Sequence, residues 1–255
     1  MAGRQKKPPL SYQERQYRRI QNSGLVSSVV KVAETDLHIL APVQVEEQAL
    51  AAVAEVRADI EGYIREHPDF LRSLVPLPPD IQAPKAVREM LTAGLQAGVG
   101  PMAAVAGTVA ELVGQALSRQ GINEVIVENG GDIFISRTEP STVSVYAGES
   151  PLSGRVGVHL RADQMPCGVC CSSGTIGHSL SLGRADAVVV VAASTPLADA
   201  AATRLGNAVG GQRKRMNKNI NAALELAGTI DGLSGVLIIS GKHLGARGDL
   251  ELVRL

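Results

Sequence analysis

The sequence predicts an α+β fold, and three observations carry that prediction. Strand-like and helix-like stretches come in blocks: a strand pair, long helices, several strands, then helices set between late strands. The 255 residues, 45% hydrophobic and 20% charged, suffice for a substantial core. No repeat of solenoid length runs through them. The organisation expected is a polar, basic segment over residues 1–20 and a single domain over 21–255, with a proline-rich connector near 75–84.

Leu25–Val32 and Asp36–Leu40 are rich in β-formers and read as a hairpin. Val43–Glu66 places Val45, Ala49, Val53, Val56, Ile60 and Ile64 at helical spacing. His67-Pro68 ends that helix, because the residue before proline is pushed out of the helical region. Val75-Pro76-Leu77-Pro78-Pro79 is extended, and Pro84–Ala97 is helical again. Gly98-Val99-Gly100-Pro101-Met102-Ala103 formally matches a dinucleotide fingerprint, but a helix precedes it where that motif needs a strand. A break between two helices explains it better, with the glycines ending one and Pro101 opening the next. Ala103, Ala104, Ala106, Gly107 and Gly114 give the second helix a small-residue face, open to close approach by a backbone, a ligand or a second copy of the chain. Later strands are expected at Glu124–Glu128, Ile133–Ser136, Val143–Ala147, Arg155–Leu160, Ala187–Ala192, Gly235–Ser240 and Asp249–Val253. Helices are expected at Leu197–Ala208 and Met216–Ala227.

Bulk properties exclude several functions. Formal net charge is zero and aromatics make up 2%, so neither an anionic polymer nor base stacking has a platform, and no nucleic-acid partner is expected. No window approaches the roughly 18 apolar residues of a membrane span, and the basic N-terminus lacks the apolar segment of a secretory signal. Three cysteines, an odd number, point to reduced thiols. Together these lead to the expectation of a cytoplasmic protein.

Three clusters carry chemistry. Asn129-Gly130-Gly131-Asp132 reads as a tight hairpin turn, or as a site where glycine backbone touches a ligand held by the Asn and Asp side chains. Cys167-Gly168-Val169-Cys170-Cys171 contains C-x-x-C but lacks the further ligands of a closed zinc site. The following Ser172-Ser173-Gly174-Thr175 resembles an anion-cradling turn whose N–H groups would lower the pKa of a neighbouring thiol, with His178 the nearest imidazole. Buried, inert cysteines are the plainer alternative. Asp199 and Thr203, one turn apart on a helix, present two hard oxygen donors on one face. Thr195-Pro196 reads as the N-cap and first residue of that helix.

Taken in order, Pro101–Thr108, Asn129–Asp132, Cys171–Gly174 and Ala198–Thr203 resemble the FAD:protein FMN transferase (ApbE) superfamily. Its corresponding motifs are D-L-G-G-I-A-K-G, N-x-G-G-D, A-T-S-G and A-D-A-x-A-T. The resemblance spans roughly residues 25–255 and is closest to a cytosolic branch with a C-T-S-S-G motif, in which Cys170 takes the cysteine position. It implies an ApbE-like fold with two βα-type halves around a flavin-nucleotide cleft that takes FAD or FMN. It further implies Mg²⁺ held by Asp199, Thr203 and a backbone carbonyl near Ala106. Asn129, Gly130, Gly131, Asp132, Ser172, Ser173, Gly174 and Thr175 would line the nucleotide site. A protein acceptor of FMN is the implied partner. The chain departs from the superfamily at Gly107, where the motif has lysine, at Pro101, where it has aspartate, and in lacking H-x-x-D-P-x-T-G. The branch is also linked to sulfide assimilation toward homocysteine, which implies a second reading: a sulfur relay on Cys170, with His178 beside it. A flavin-binding module without catalysis is a third.

Overall fold

In the computed structural model, residues 24–173, 185–210 and 216–255 are described. Two hairpin strands, β1 (Val26–Val32) and β2 (Thr35–Ala41), lead into helix α1 (Glu46–Glu66) and the short α2 (Pro68–Arg72). Helix α3 (Lys85–Ala97) is followed by a 3₁₀ turn (Pro101–Ala104) and α4 (Val105–Arg119). Strands β3 (Val125–Asn129), β4 (Asp132–Ser136), β5 (Ser141–Ser144), β6 (Val156–Leu160), β7 (Cys167–Ser172) and β8 (Ala187–Ala192) come next. Helices α5 (Thr195–Ala208) and α6 (Met216–Ala227) precede β9 (Leu233–Ser240), β10 (His243–Gly248) and β11 (Glu251–Arg254). The α+β expectation holds.

Eight strands form one sheet in the order β1-β2-β3-β4-β7-β8-β9-β10, and β11-β6-β5 form a second. Their pairings are antiparallel. Period-two alternation divides the large sheet into two apolar faces. Val127, Phe134, Cys170, Val188, Val190 and Ile238 point into a core shared with the helices. Ile135, Cys167, Val169, Val189, Leu237 and Ile239 point the other way, against Val158 and Leu160 of the small sheet. The result is three layers, with α4 lying on β3 and β4 and α5 on β7 and β8.

The expected break between α3 and α4 is present. Gly98 caps α3 in the left-handed conformation (φ 72°), and Pro101 opens the 3₁₀ turn. The chain just before the proline-rich connector crosses Gly100, where an added Cβ would lie on Ser73 O. The small-residue face of α4 is used inside the chain. A Cβ on Gly107 would meet Thr195 O at 2.6 Å, and one on Gly114 would meet the Phe134 ring at 2.2 Å. That face therefore does not by itself call for a second copy. No single helix among the described residues is long and apolar enough to cross a membrane.

Candidate active site

The site grows from one cross-strand row on the helix-facing side of the large sheet. Asn129 of β3 pairs with Asp132 of β4, and Asp132 pairs with Cys170 of β7. Asn129-Gly130-Gly131-Asp132 is the hairpin turn that the sequence suggested, with Gly130 at φ 74° and Gly131 at φ 108°. The Glu128 carboxylate holds its geometry by accepting the Gly131 N–H at 2.8 Å. The turn also delivers a polar group to the helices, because Asn129 Nδ2 donates to the Ala106 carbonyl at 3.1 Å.

The first turns of α4 and α5 meet above this row. Asp199 Oδ2 accepts the Gly107 N–H at 2.9 Å, and the Ala106 N–H also bonds this carboxylate. An aspartate of α5 thus satisfies amides that would otherwise be orphaned at the start of α4. It does not cap its own helix. That role belongs to Ser194, whose hydroxyl accepts the Leu197 N–H at 3.3 Å. This corrects the expected cap at Thr195, which occupies the first helical position, with Pro196 second. Thr203 is half-buried, one turn beyond Asp199. The structure therefore brings Asn129, Asp132, Cys170, Ala106 and Asp199 together. Ser172 and Ser173 are half-buried at the end of β7, while Gly174, Thr175 and His178 lie outside the described residues.

Buried carboxyl groups dominate the electrostatics of this cluster. Burial is the main force pushing Asp199 up to about 7, against the Gly107 and Ala106 N–H groups that hold it down. Asp132 is pushed well above the usual carboxylate range by burial, then by the charges of Asp199 and Glu128. No lysine or arginine among the described residues pairs with either aspartate. Nor do three or more His, Cys, Asp or Glu side chains converge among the described residues as a self-sufficient metal cage. The donor set still fits a hard cation that takes one carboxylate, a hydroxyl, a carbonyl and ligand phosphate oxygens. Asp199, Thr203 and the Ala106 carbonyl, which keeps a lone pair beyond its bond to Asn129, are of that kind.

The thiols behave opposite to the expected activation. Cys170 is fully buried, donates to the Thr195 carbonyl at 3.5 Å and bonds the Asp132 carboxyl. Burial first, and then the charges of Asp132 and Asp199, push its thiol far up. Burial pushes Cys167 to about 11 and Cys171 to about 12. Raised thiol pKa values favour the protonated form, and Cys167 and Cys170 have the character of small core side chains, with Cys171 half-buried beside them.

Two residues of the site escaped the sequence reading. Glu111 of α4 accepts the Thr195 N–H at 2.7 Å. Its signal was that it is the one acidic residue of α4. Gly168 of β7 is needed because a Cβ there would sit 2.5 Å from Thr195 Cα. In the sequence it was only the second residue of a cysteine motif.

Comparison with known proteins places this geometry. A family profile described as AbpE bacteria matches residues 18–230. A UPF0280 protein of Methanococcus maripaludis (strain C5) is 45% identical over 202 residues, covering 78% of this chain and 80% of that protein. One of Methanocaldococcus jannaschii is 42% identical over 201 residues, covering 78% and 80%. Among solved structures, a mutant of the flavin transferase ApbE from Vibrio cholerae superposes with a TM-score of 0.56 at 11% identity, over 87% of this chain and 96% of that one. The apo flavinyl transferase ApbE of Pseudomonas stutzeri gives 0.56 at 16% identity, over 88% and 94%. At such identities the likeness establishes the fold alone. By profile and relatives, this chain belongs to the AbpE bacteria family, with the UPF0280 proteins, and its fold is ApbE-like.

Proposed function

We propose that this protein is a cytoplasmic, flavin-nucleotide-binding enzyme of the FMN transferase type, with a Mg²⁺-assisted cleft at the start of α4 and α5. One observation carries this reading. Asp199 and Asn129, far apart in sequence, both bond the Ala106–Gly107 turn and aim a carboxylate, an amide and a carbonyl at one place. Asp132 and Asp199 are buried acids with no basic partner among the described residues, and a bound cation would favour the ionised form of Asp199.

In this reading Asp199, Thr203 and the Ala106 carbonyl hold the cation. When bound, Mg²⁺ neutralises the pyrophosphate and stabilises charge developing as its bond breaks. Gly130 and Gly131 let the β3–β4 turn approach the nucleotide without a side chain between. The Ser172 and Ser173 hydroxyls extend the polar wall, with Gly174 and Thr175 continuing it in sequence. Gly107 cannot carry the superfamily's lysine, because a Cβ there would meet Thr195 O at 2.6 Å and Asp199 Cβ at 2.9 Å. The Gly107 backbone N–H supplies the only donor at that position, so transfer to a protein acceptor runs without a lysine there. The sulfur relay on Cys170 draws no support from a thiol that is buried and held protonated.

Flavin fluorescence during titration of reduced protein with FAD, with and without Mg²⁺, tests the proposal. Mg²⁺ should tighten binding at least ten-fold, about 1.4 kcal/mol. Asp199→Asn, which keeps an acceptor for the Gly107 N–H but loses the charge, should abolish that increment. Equal binding with and without Mg²⁺ in the parent protein would refute the cation site.

A further inference from the structure

The first turns of α4 and α5 are joined by a reciprocal clasp. Asp199 reaches from α5 to the Gly107 N–H of α4, and Glu111 reaches from α4 to the Thr195 N–H of α5. Each carboxylate lies one helical turn after the residue whose amide the other helix binds. The arrangement is close to two-fold: 107 with 111 on one side, 195 with 199 on the other. Gly107 makes the approach feasible, since any side chain there would collide with Thr195 and Asp199. Gly168 does the same from the sheet side.

Glu111 is itself held. Its Oε1 accepts from Gln115 Nε2 at 3.0 Å, and Gln115 Oε1 accepts from Lys85 Nζ at 2.7 Å. The line Lys85–Gln115–Glu111–Thr195 therefore ties α3, α4 and the first residue of α5 together. The contact to Thr195 is a charge-assisted bond to a helix N-terminus, where a carboxylate is favoured both by the orphaned donors and by the dipole. Thr195 has no comparable anchor through its own side chain, since its hydroxyl is fully buried without a hydrogen-bond partner among the described residues. Its backbone N–H to Glu111 is the shortest hydrogen bond that fixes the start of α5, beside the long bond of its carbonyl to the Cys170 thiol.

We propose that Glu111 is a positioning residue of the cleft: by fixing Thr195 it sets the rotation and height of α5, and so places Asp199 and Thr203. This rests on the reading of Asp199 and Thr203 as cation donors, but the clasp is testable apart from it. Without Glu111, α5 would stay packed through its alanines, while its first turn would be free to turn away from Gly107. The residue touches neither cation nor nucleotide and acts only through α5.

The test compares Glu111→Leu and Glu111→Gln with Val113→Ala, a cavity-forming change in the buried face of the same helix. Two readouts are taken on the full chain: native-state amide exchange, and the dissociation constant for FAD with and without Mg²⁺. Glu111→Leu should speed exchange at least ten-fold at Thr195 and also at Gly107, whose acceptor is Asp199 rather than Glu111. It should also weaken Mg²⁺-dependent FAD binding at least ten-fold. Glu111→Gln keeps a carbonyl oxygen for the Thr195 N–H and should stay within about three-fold of the parent in both readouts. Val113→Ala should lower the melting temperature without changing FAD affinity more than two-fold. Unchanged Gly107 exchange in Glu111→Leu would overturn the clasp. If Glu111→Leu does not fold, Glu111→Ala is measured in its place, and unchanged Gly107 exchange there would overturn it. Failure of the parent protein to bind FAD would refute the flavin reading, and the exchange arm would still judge the clasp.

Discussion

Asp199 shows why single residues here are poor guides until their partners are known. From the sequence it was a helix-face carboxylate one turn before a threonine. In the fold it reaches out of its own helix to the backbone of another, and burial raises its proton affinity. Gly107 is its counterpart. Gly107→Ala should destabilise the protein by about 1–3 kcal/mol, as overpacking does, because the new methyl would meet Thr195 O and Asp199 Cβ. Urea denaturation measures it, and an unchanged midpoint would contradict the close approach. The cysteines yield a second expectation at this scale. With their thiols held protonated by burial, iodoacetamide at pH 7 should leave Cys167 and Cys170 unmodified in native protein and modify them fully after unfolding. Rapid native alkylation of Cys170 would revive the sulfur-relay reading.

At the level of elements, the starts of α4 and α5 matter most. Ser194→Ala removes the side-chain cap of α5 and should cost about 1 kcal/mol, read as a lowered melting temperature with little change elsewhere. Most of the elements were legible in the sequence because periodicity and punctuation agreed: the first hairpin, the long helix closed by His67-Pro68, and the break at Gly98–Pro101. The omissions have physical reasons. Strand β7 was hidden because Cys167–Ser172 drew attention as a ligand motif, while its alternating pattern sends Cys167 and Val169 to one core and Cys170 to the other. Strand β10 was hidden by Gly245, a poor strand former. That glycine is required because a Cβ there would lie 2.5 Å from Ile220 of α6. The five-residue α2 is too short to show a period. As for the site, Asn129 and Asp132 stood out as the polar ends of a double-glycine turn, and Asp199 as a carboxylate among alanines. Glu111 and Gly168 did not, since their roles exist only once two helices and a strand have met.

For the molecule as a whole, buried acid makes stability depend on pH and cation. Asp199 has a folded-state pKa raised above its unfolded value, so its contribution is fully present below about pH 4 and is lost as pH rises through about 7. Asp132 acts in the same direction. Cation-free protein should therefore lose thermal stability between pH 5 and pH 8. Mg²⁺, which binds the ionised carboxylate, should raise the melting temperature more at pH 8 than at pH 5. Thermal melts in buffers of matched ionic strength measure this, and a Mg²⁺ effect that shrank as pH rose would speak against a carboxylate ligand. The three-layer architecture explains why the site lies where it does. The helix-facing row Asn129–Asp132–Cys170 crosses the middle of the large sheet, and both helix starts close over it. The most direct test is a crystal structure of the protein with FAD and Mn²⁺ in place of Mg²⁺, read through the anomalous signal of the metal. The account predicts a peak between Asp199 and the Ala106 carbonyl, with the pyrophosphate against it and the β3–β4 turn alongside. Flavin bound elsewhere, or a metal peak remote from Asp199, would contradict it.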